Sequence, residues 1–273
     1  MAFDNLFEPI QVGPITIKNR IVRSAHGTRQ AGDKLIAYHE ARAAGGVGMS
    51  TIEATGVHAN APSTIPLYSD ACIPYFKEFK ARMEPHGMKI FQQIYHPGAA
   101  TRPSKAATQM SASAIPNPLI GGIPMEMSKA QIADMVEAFA AAARRCRDGG
   151  LDGIDLHASS GYLLEQFLSP ANNTREDEYG GSLENRMRFL MEVIHAIRDT
   201  VGYEFCMGIR LPNEEYIPGG LTPPDVAEIA RIVEPYVDYV SLHMGSYWRF
   251  HKLLSTMDDP LGHELPHNEP IVK

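Results

Sequence analysis

A short apolar run, Gly-Ile-Asp-Leu-His at residues 153–157, opens into Ala-Ser-Ser-Gly-Tyr. His157, Ser160 and Tyr162 therefore sit together just past a strand end. A histidine and a tyrosine in that place can bind a carbonyl oxygen and donate a proton. A histidine bonded to backbone and a half-buried tyrosine would leave the same pattern, so these residues alone do not separate the two. Arg210, inside the apolar run Cys-Met-Gly-Ile-Arg-Leu-Pro at residues 206–212, says more. Burying an unpaired guanidinium is costly. It must face an anion or an electron-rich ligand, or pair with a carboxylate such as Glu53 or Glu165. Gln93 alternates with apolar neighbours in Lys-Ile-Phe-Gln-Gln-Ile-Tyr at residues 89–95, so one amide points inward. His243, Tyr247 and Trp248 follow the last apolar run at residues 239–243; for Trp248 simple packing competes with a ligand role.

The elements that must position these residues alternate regularly. Buried strands are predicted at residues 20–25, 49–54, 89–95, 153–157, 205–211 and 239–243. Helices are predicted over residues 33–44, 73–86, 129–148 and 182–201, with another opening at Thr222-Pro223-Pro224-Asp225. The third starts on a capping box, Ser128 with Gln131, and the last has a threonine N-cap and proline at its first position. Residues 11–17 hold two turn signals and read as a hairpin plugging one end of a barrel. Residues 97–127 form a long connection rich in Pro, Gly, Ser and Ala, a length usually reserved for function or mobility.

Strand–helix alternation means a parallel α/β sheet, doubly wound or closed as a (β/α)8 barrel. No GxGxxG follows any strand, which removes the main dinucleotide-fold signal. Polar residues recur at strand C-terminal ends: Ser24/His26, Glu53, Gln93/His96, His157, Arg210 and His243. A barrel collects such residues at one mouth. The expectation is a TIM-type barrel domain over residues 1–273 that stops after the sixth strand. Pro270-Ile271-Val272-Lys273 resembles the approach to another buried segment, and a longer natural chain is expected.

Composition bounds the function. With 273 residues, 44% hydrophobic and 21% charged, the chain buries a sizeable core. A net charge of -7 argues against nucleic acid. The N-terminus lacks the basic and apolar runs of a signal peptide, and no stretch is long and apolar enough for a membrane helix. Cys72, Cys146 and Cys206 form no CxxC, so no metal site is expected and a cytoplasmic location is.

Together these residues resemble the FMN barrel of the Old Yellow Enzyme, or NADH:flavin oxidoreductase, family. The similarity runs from LFEPIQVGPITIKNRIV at residues 6–22 to the sixth strand. Its most specific part is DGIDLHASSGYLLEQFLSPANNTREDEYGGSLENRMRF at residues 152–189. The first phrase and the Leu-His-Ala-Ser-Ser-Gly-Tyr segment are closest to the branch of 2,4-dienoyl-CoA reductase and trimethylamine dehydrogenase. The resemblance implies FMN at the barrel mouth and NAD(P)H as electron donor. Gln93 would bond the flavin pyrimidine ring, and Arg210 would sit by N1 and O2. Ala25, His26, Gly27 and Ala54 would line the flavin. His157 would bind flavin or the substrate's activating oxygen, and Tyr162 would give the proton once hydride reaches an activated C=C bond.

Ser160 stands where many ene reductases have a second His or an Asn, and Gly27 where many members have Thr or Cys. The family's phosphate site lies in strands seven and eight, so FMN binding by these 273 residues alone is expected to be weak. An iron–sulfur cluster and FAD are expected only in a longer chain. The leading expectation is reduction of an enone or an enoyl or dienoyl thioester. Tyr247 and Trp248 motivate an alternative, an amine dehydrogenase or N-demethylase holding a methylated amine by cation–π attraction; with Ser160 they are the substrate candidates. The non-enzyme alternative is a barrel fragment that binds no FMN. The expected partner is a small molecule, with a homo-oligomer allowed.

Overall fold

In the computed structural model, residues 3–61, 63–102, 108–254 and 256–272 are described. In chain order, β1 (Ile10–Val12) and β2 (Ile15–Ile17) form a hairpin, followed by β3 (Val22–Arg23), α1 (Asp33–Ala44), β4 (Met49–Gly56), α2 (Ile73–Met83) and β5 (Lys89–Tyr95). The short strands β6 (Met110–Ser111) and β7 (Met125–Glu126) precede α3 (Lys129–Asp148), β8 (Gly153–His157), α4 (Leu163–Leu168) and α5 (Leu183–Val201). Then come β9 (Cys206–Pro212), α6 (Pro223–Val233), β10 (Tyr239–His243), α7 (Phe250–Leu253) and α8 (Leu265–Val272).

Strands β3, β4, β5, β8, β9 and β10 make one parallel sheet in chain order. This is the expected barrel wall, with six strands and two open edges, where Val22 and Val240 are exposed. Register stacks one face in layers. Thr51, Phe91, Gly153 and Cys206 lie side by side; above them come Gln93, Asp155, Gly208 and Tyr239; then His157, Arg210 and Ser241. Alternation along each strand puts these residues on the interior face. Two glycines make room for rings. A Cβ on Gly208 would lie 1.9 Å from Cζ of Tyr239, and one on Gly153 would lie 2.3 Å from the Phe91 ring.

The hairpin closes the lower end as expected. Ile17, Met49, Phe91 and Cys206 form a buried cluster, with Ile10, Val12, Ile15 and Tyr239 packed on it. On the outer face, Phe76, Phe79, Phe139 and Phe189 are fully buried between helices and sheet. Burial of each such ring stabilises by about 1.5–3 kcal/mol.

Several boundaries differ from the sequence reading, each for a local reason. The first strand pairs only over Val22–Arg23, with Met49 and Ser50 of β4, and the Arg23 side chain donates to the Thr51 carbonyl beyond them. Helix α2 stops at Met83; Pro85 tightens residues Glu84–His86 into a 3-10 turn, which Gly87 closes at φ 63°. The connection at residues 97–127 contains the β6–β7 pair; its residues 103–107 lie outside the described residues. The C-terminal stretch is not extended. Residues up to Val272 form α8, which packs on α6 with Ile271 against the core; Lys273 lies outside the described residues. The expected capping box forms at Ser128/Gln131, and the expected N-cap Thr222 makes a second one with Asp225. Among the described residues no helix is long and apolar enough to cross a membrane.

Candidate active site

The upper interior layer carries the chemistry. Arg210 is 9% exposed, and its partners are hydroxyls: Nε donates to Ser241 Oγ at 3.3 Å, and one terminal nitrogen donates to Ser24 Oγ. Neither carboxylate considered from the sequence reaches it. Glu53 accepts from Thr28 N at 2.8 Å and Thr28 Oγ1 at 3.1 Å, and Glu165 accepts from Gly161 N at 2.5 Å. Arg210 has no ion pair among the described residues. Two neutral hydroxyls do not neutralise a buried guanidinium, so the group retains unspent positive potential.

Below it, Asp155 is buried and accepts from two side chains: Gln93 Nε2 and Tyr239 Oη, each at 2.8 Å. The Gln93 amide is thus oriented, with its nitrogen on Asp155 and its oxygen accepting from no described residue. Gln92 faces the other way. Its Nε2 donates to Glu53 O at 2.8 Å and Thr55 Oγ1 at 3.0 Å, filling the irregularity where β4 shifts register between Ile52 and Thr55. A cavity of about 380 Å³ lies beside this layer, lined by Val12, Met49, Thr51, Asp155, Arg210 and Tyr239 among others.

His157 ends β8 beside Arg210 in register. Its Nδ1 lies 3.1 Å from Ser159 Oγ. Burial, then the charge of Arg210 and the neighbouring His243, holds its pKa well below the usual value. His243 is lowered to about 4 by burial and Arg210. At neutral pH both imidazoles are uncharged, leaving Arg210 as the cation of this layer.

Tyr162 lies edge-on to His157 and to Tyr95, with ring centroids 4.9 Å apart in both cases. Its hydroxyl is 3.2 Å from that of Tyr247. Burial, with Tyr247 and Tyr95 adding, raises its pKa well above the ordinary value, and Tyr95 is pushed up to about 12. Tyr162 therefore carries its proton at neutral pH and is equipped as a donor.

Sequence-selected residues fall into three groups. His157 joins Arg210 through strand register and Tyr162 through ring contact, Tyr162 joins Tyr247, and Gln93 lies one layer below them. Ala25, His26 and Gly27 follow β3, and Ala54 sits in the β4 irregularity. A Cβ on Gly27 would lie 3.5 Å from Glu53 Oε2, and Glu53 holds Thr28, so this edge is pinned to β4. His26 is exposed, with its Nε2 3.2 Å from Arg23. Ser160 and Trp248 are placed differently. Ser160 is 4% exposed at φ 64° and bridges Ser246 through backbone. The Trp248 indole is half-buried, and its backbone N–H donates to Ser246 Oγ at 3.3 Å.

Four residues were passed over: Tyr95, Asp155, Ser159 and Tyr239. Alternation could have found Tyr95, two positions beyond Gln93, and Asp155, two before His157. Ser159 and Tyr239 become visible only when the chain is folded.

The constellation offers a buried cation with no ion pair among the described residues, an oriented amide oxygen as acceptor and a protonated tyrosine as donor. An N,N-dimethylglycine/sarcosine dehydrogenase of Chromohalobacter salexigens is 39% identical over 243 residues, covering 84% of this chain and 35% of that one. An NADPH dehydrogenase of a Geobacillus species is 37% identical, covering 88% of this chain and 73% of that one. The solved complex of 2-naphthoyl-CoA reductase with 2-naphthoyl-CoA superposes with a TM-score of 0.88 at 26% identity, over 99% of this chain and 45% of that one. The chain spans just over a third of the length of the curated relatives that match it first. Residues 5–257 match the model of the NADH:flavin oxidoreductase / NADH oxidase family. Sequence and barrel wall thus agree, and the chain belongs to that family.

Proposed function

We propose that this chain is the flavin barrel of a cytoplasmic enzyme that uses NAD(P)H to reduce an activated C=C bond, as in an enone or an enoyl or dienoyl thioester. FMN, when bound, supplies hydride transfer between NAD(P)H and substrate. Arg210 would face the pyrimidine side of the ring, where reduction builds negative charge. Gln93, oriented by Asp155, would accept from the ring imide. With Ser159 donating to Nδ1, His157 would have its Nε2–H free for the activating oxygen, and Tyr162 would protonate the carbon next to the one reduced.

The observation that carries this reading is Arg210, buried beside neutral histidines with only hydroxyl partners. The three cysteines are free and buried, which supports a reducing compartment. The test is anaerobic mixing of the full natural protein with each substrate class. NAD(P)H should bleach the oxidised flavin band, and an enone or enoyl thioester should restore it. Bleaching by methylated amines, with no reoxidation by enoyl substrates, would overturn the proposal.

Amine oxidation is the second reading. The rings of Tyr95, Tyr162 and Tyr247 form a continuous aromatic surface, suited to a methylated ammonium group. The dimethylglycine/sarcosine dehydrogenase likeness supports it too. Arg210 works against it, because a second cation nearby would be repelled. A protein without flavin absorbance after FMN addition would instead favour a non-catalytic barrel.

A further inference from the structure

The contact between the hydroxyls of Tyr162 and Tyr247 is built by the backbone on both sides. Ser160 (φ 64°) and Gly161 (φ 76°) turn the chain sharply after β8. For serine this left-handed conformation is unfavourable by about 1–2 kcal/mol. The turn brings Ser160 into a parallel bridge with Ser246, the residue before Tyr247. A Cβ on Gly161 would lie 3.4 Å from Ser246 Cβ and 3.7 Å from Tyr247 N, so the two segments touch. Glu165 locks the turn by accepting from Gly161 N, and Ser246 is fully buried.

This arrangement leaves the Tyr162 hydroxyl one protein partner. Tyr95 and His157 meet its ring edge-on, and among the described residues only Tyr247 bonds its oxygen. Tyr247 begins the short turn Tyr247–Arg249, which runs out to exposed Arg249 and Phe250. A buried tyrosine that gives up its proton must recover one before the next turnover. A lone tyrosinate is unfavourable here, since burial already raises the pKa of Tyr162.

We propose that Tyr247 returns the proton to Tyr162, so that the two hydroxyls form the proton path between the active site and solvent. This rests on the reading of Tyr162 as proton donor. The Tyr162 O–H bond breaks as its proton joins the substrate carbon beside the one that has received hydride. The Tyr247 O–H bond breaks as its proton moves to the Tyr162 oxygen, and water reprotonates Tyr247. One proton enters from solvent and no electrons travel along the pair; NAD(P)H remains the reductant.

The test compares Y162F, Y247F and the double variant in the FMN-loaded full protein. Each change keeps its ring and removes one oxygen. Y247F should slow the substrate-reducing half-reaction by roughly tenfold or more, and by a larger factor than it slows flavin reduction by NAD(P)H, which takes no proton from the pair. Its rate in H2O/D2O mixtures should change from a curved to a linear dependence as one moving proton is lost. The double variant should be no slower than Y162F. A Y247F rate within about twofold of wild type, or additive losses in the double variant, would overturn the relay. If Y162F itself runs at the wild-type rate, Tyr162 is not the donor and the proposed acid falls with the relay. If only Y162F is slow, the relay falls alone.

A second readout needs no cofactor. With 13Cζ-labelled tyrosine, the Tyr162 signal should titrate at lower pH in Y247F than in wild type, because Tyr247 is one of the neighbours that raise the Tyr162 pKa. An identical Tyr162 titration in Y247F would contradict the proposal.

Discussion

Gly208→Ala tests how the interior layers hold the site. The added Cβ would fall 1.9 Å from Cζ of Tyr239 and 2.2 and 2.4 Å from its two Cε atoms. No rotation of a methyl group relieves that overlap, so the ring must leave. Forced overpacking costs about 1–3 kcal/mol. Losing the Tyr239 donation to the buried Asp155 carboxylate, now 2.8 Å, adds about 1.5–3 kcal/mol. The expected destabilisation is therefore roughly 2.5–6 kcal/mol, a large share of the usual 5–15 kcal/mol. Urea denaturation followed by circular dichroism reads it. Tyr239→Phe loses only the hydrogen bond and should cost about 1.5–3 kcal/mol. Combining Gly208→Ala with Tyr239→Ala gives the new methyl room, so the pair should recover about 1 kcal/mol or more relative to the sum. A Gly208→Ala protein within about 0.5 kcal/mol of wild type, or strict additivity, would refute the layer geometry.

Three further outcomes are expected. His39 and His96 are buried, and both pKa values are lowered from 6.5 to about 3, chiefly by burial. They stay neutral in the fold and bind protons when unfolded, so their contribution is present above pH 6.5 and lost as pH falls towards 3. The loss is about 1.4 kcal/mol per pH unit each, and an unfolding midpoint that is flat between pH 6.5 and 4.5 would contradict it. Glu165 is fully buried, and burial with Glu215 raises its carboxyl well above the usual range, so the unfolded chain ionises first as pH rises. Glu165→Gln should therefore stabilise more at pH 8 than at pH 5; an equal effect at both would exclude the buried neutral acid. Gln92→Leu should cost about 1–3 kcal/mol in the same denaturation assay by stranding the Glu53 carbonyl at the β4 irregularity, and a neutral effect would show that the bond is dispensable.

Much of this architecture was legible in the sequence because its signals are local. The strands at residues 89–95, 153–157 and 239–243 match to the residue, since Gly87, Gly149-Gly150 and Pro235 punctuate short apolar runs. Side-chain commitments across the barrel were not legible. Arg210 could have paired with Glu53 or Glu165; it faces Ser24, 186 positions away, because both carboxylates are taken by nearby backbone N–H groups. Adjacent Gln92 and Gln93 look alike in sequence, and the strand pleat gives one to the helix layer and the other to the interior. Ser160 is a substrate candidate from its place after the strand, and nothing in the sequence shows its positive φ or its seat on Ser246. Tyr162 and Tyr247 are 85 positions apart, beyond any local pattern.

The central claim is that Arg210 supplies uncompensated positive charge to a bound flavin. Its most direct test is the reduction potential of the full FMN-bound protein before and after Arg210→Met. The potential should become more negative in the variant, with reduced flavin losing more affinity than oxidised flavin. An unchanged potential and unchanged affinities would show that Arg210 does not serve the flavin, and the proposed function would lose its main support.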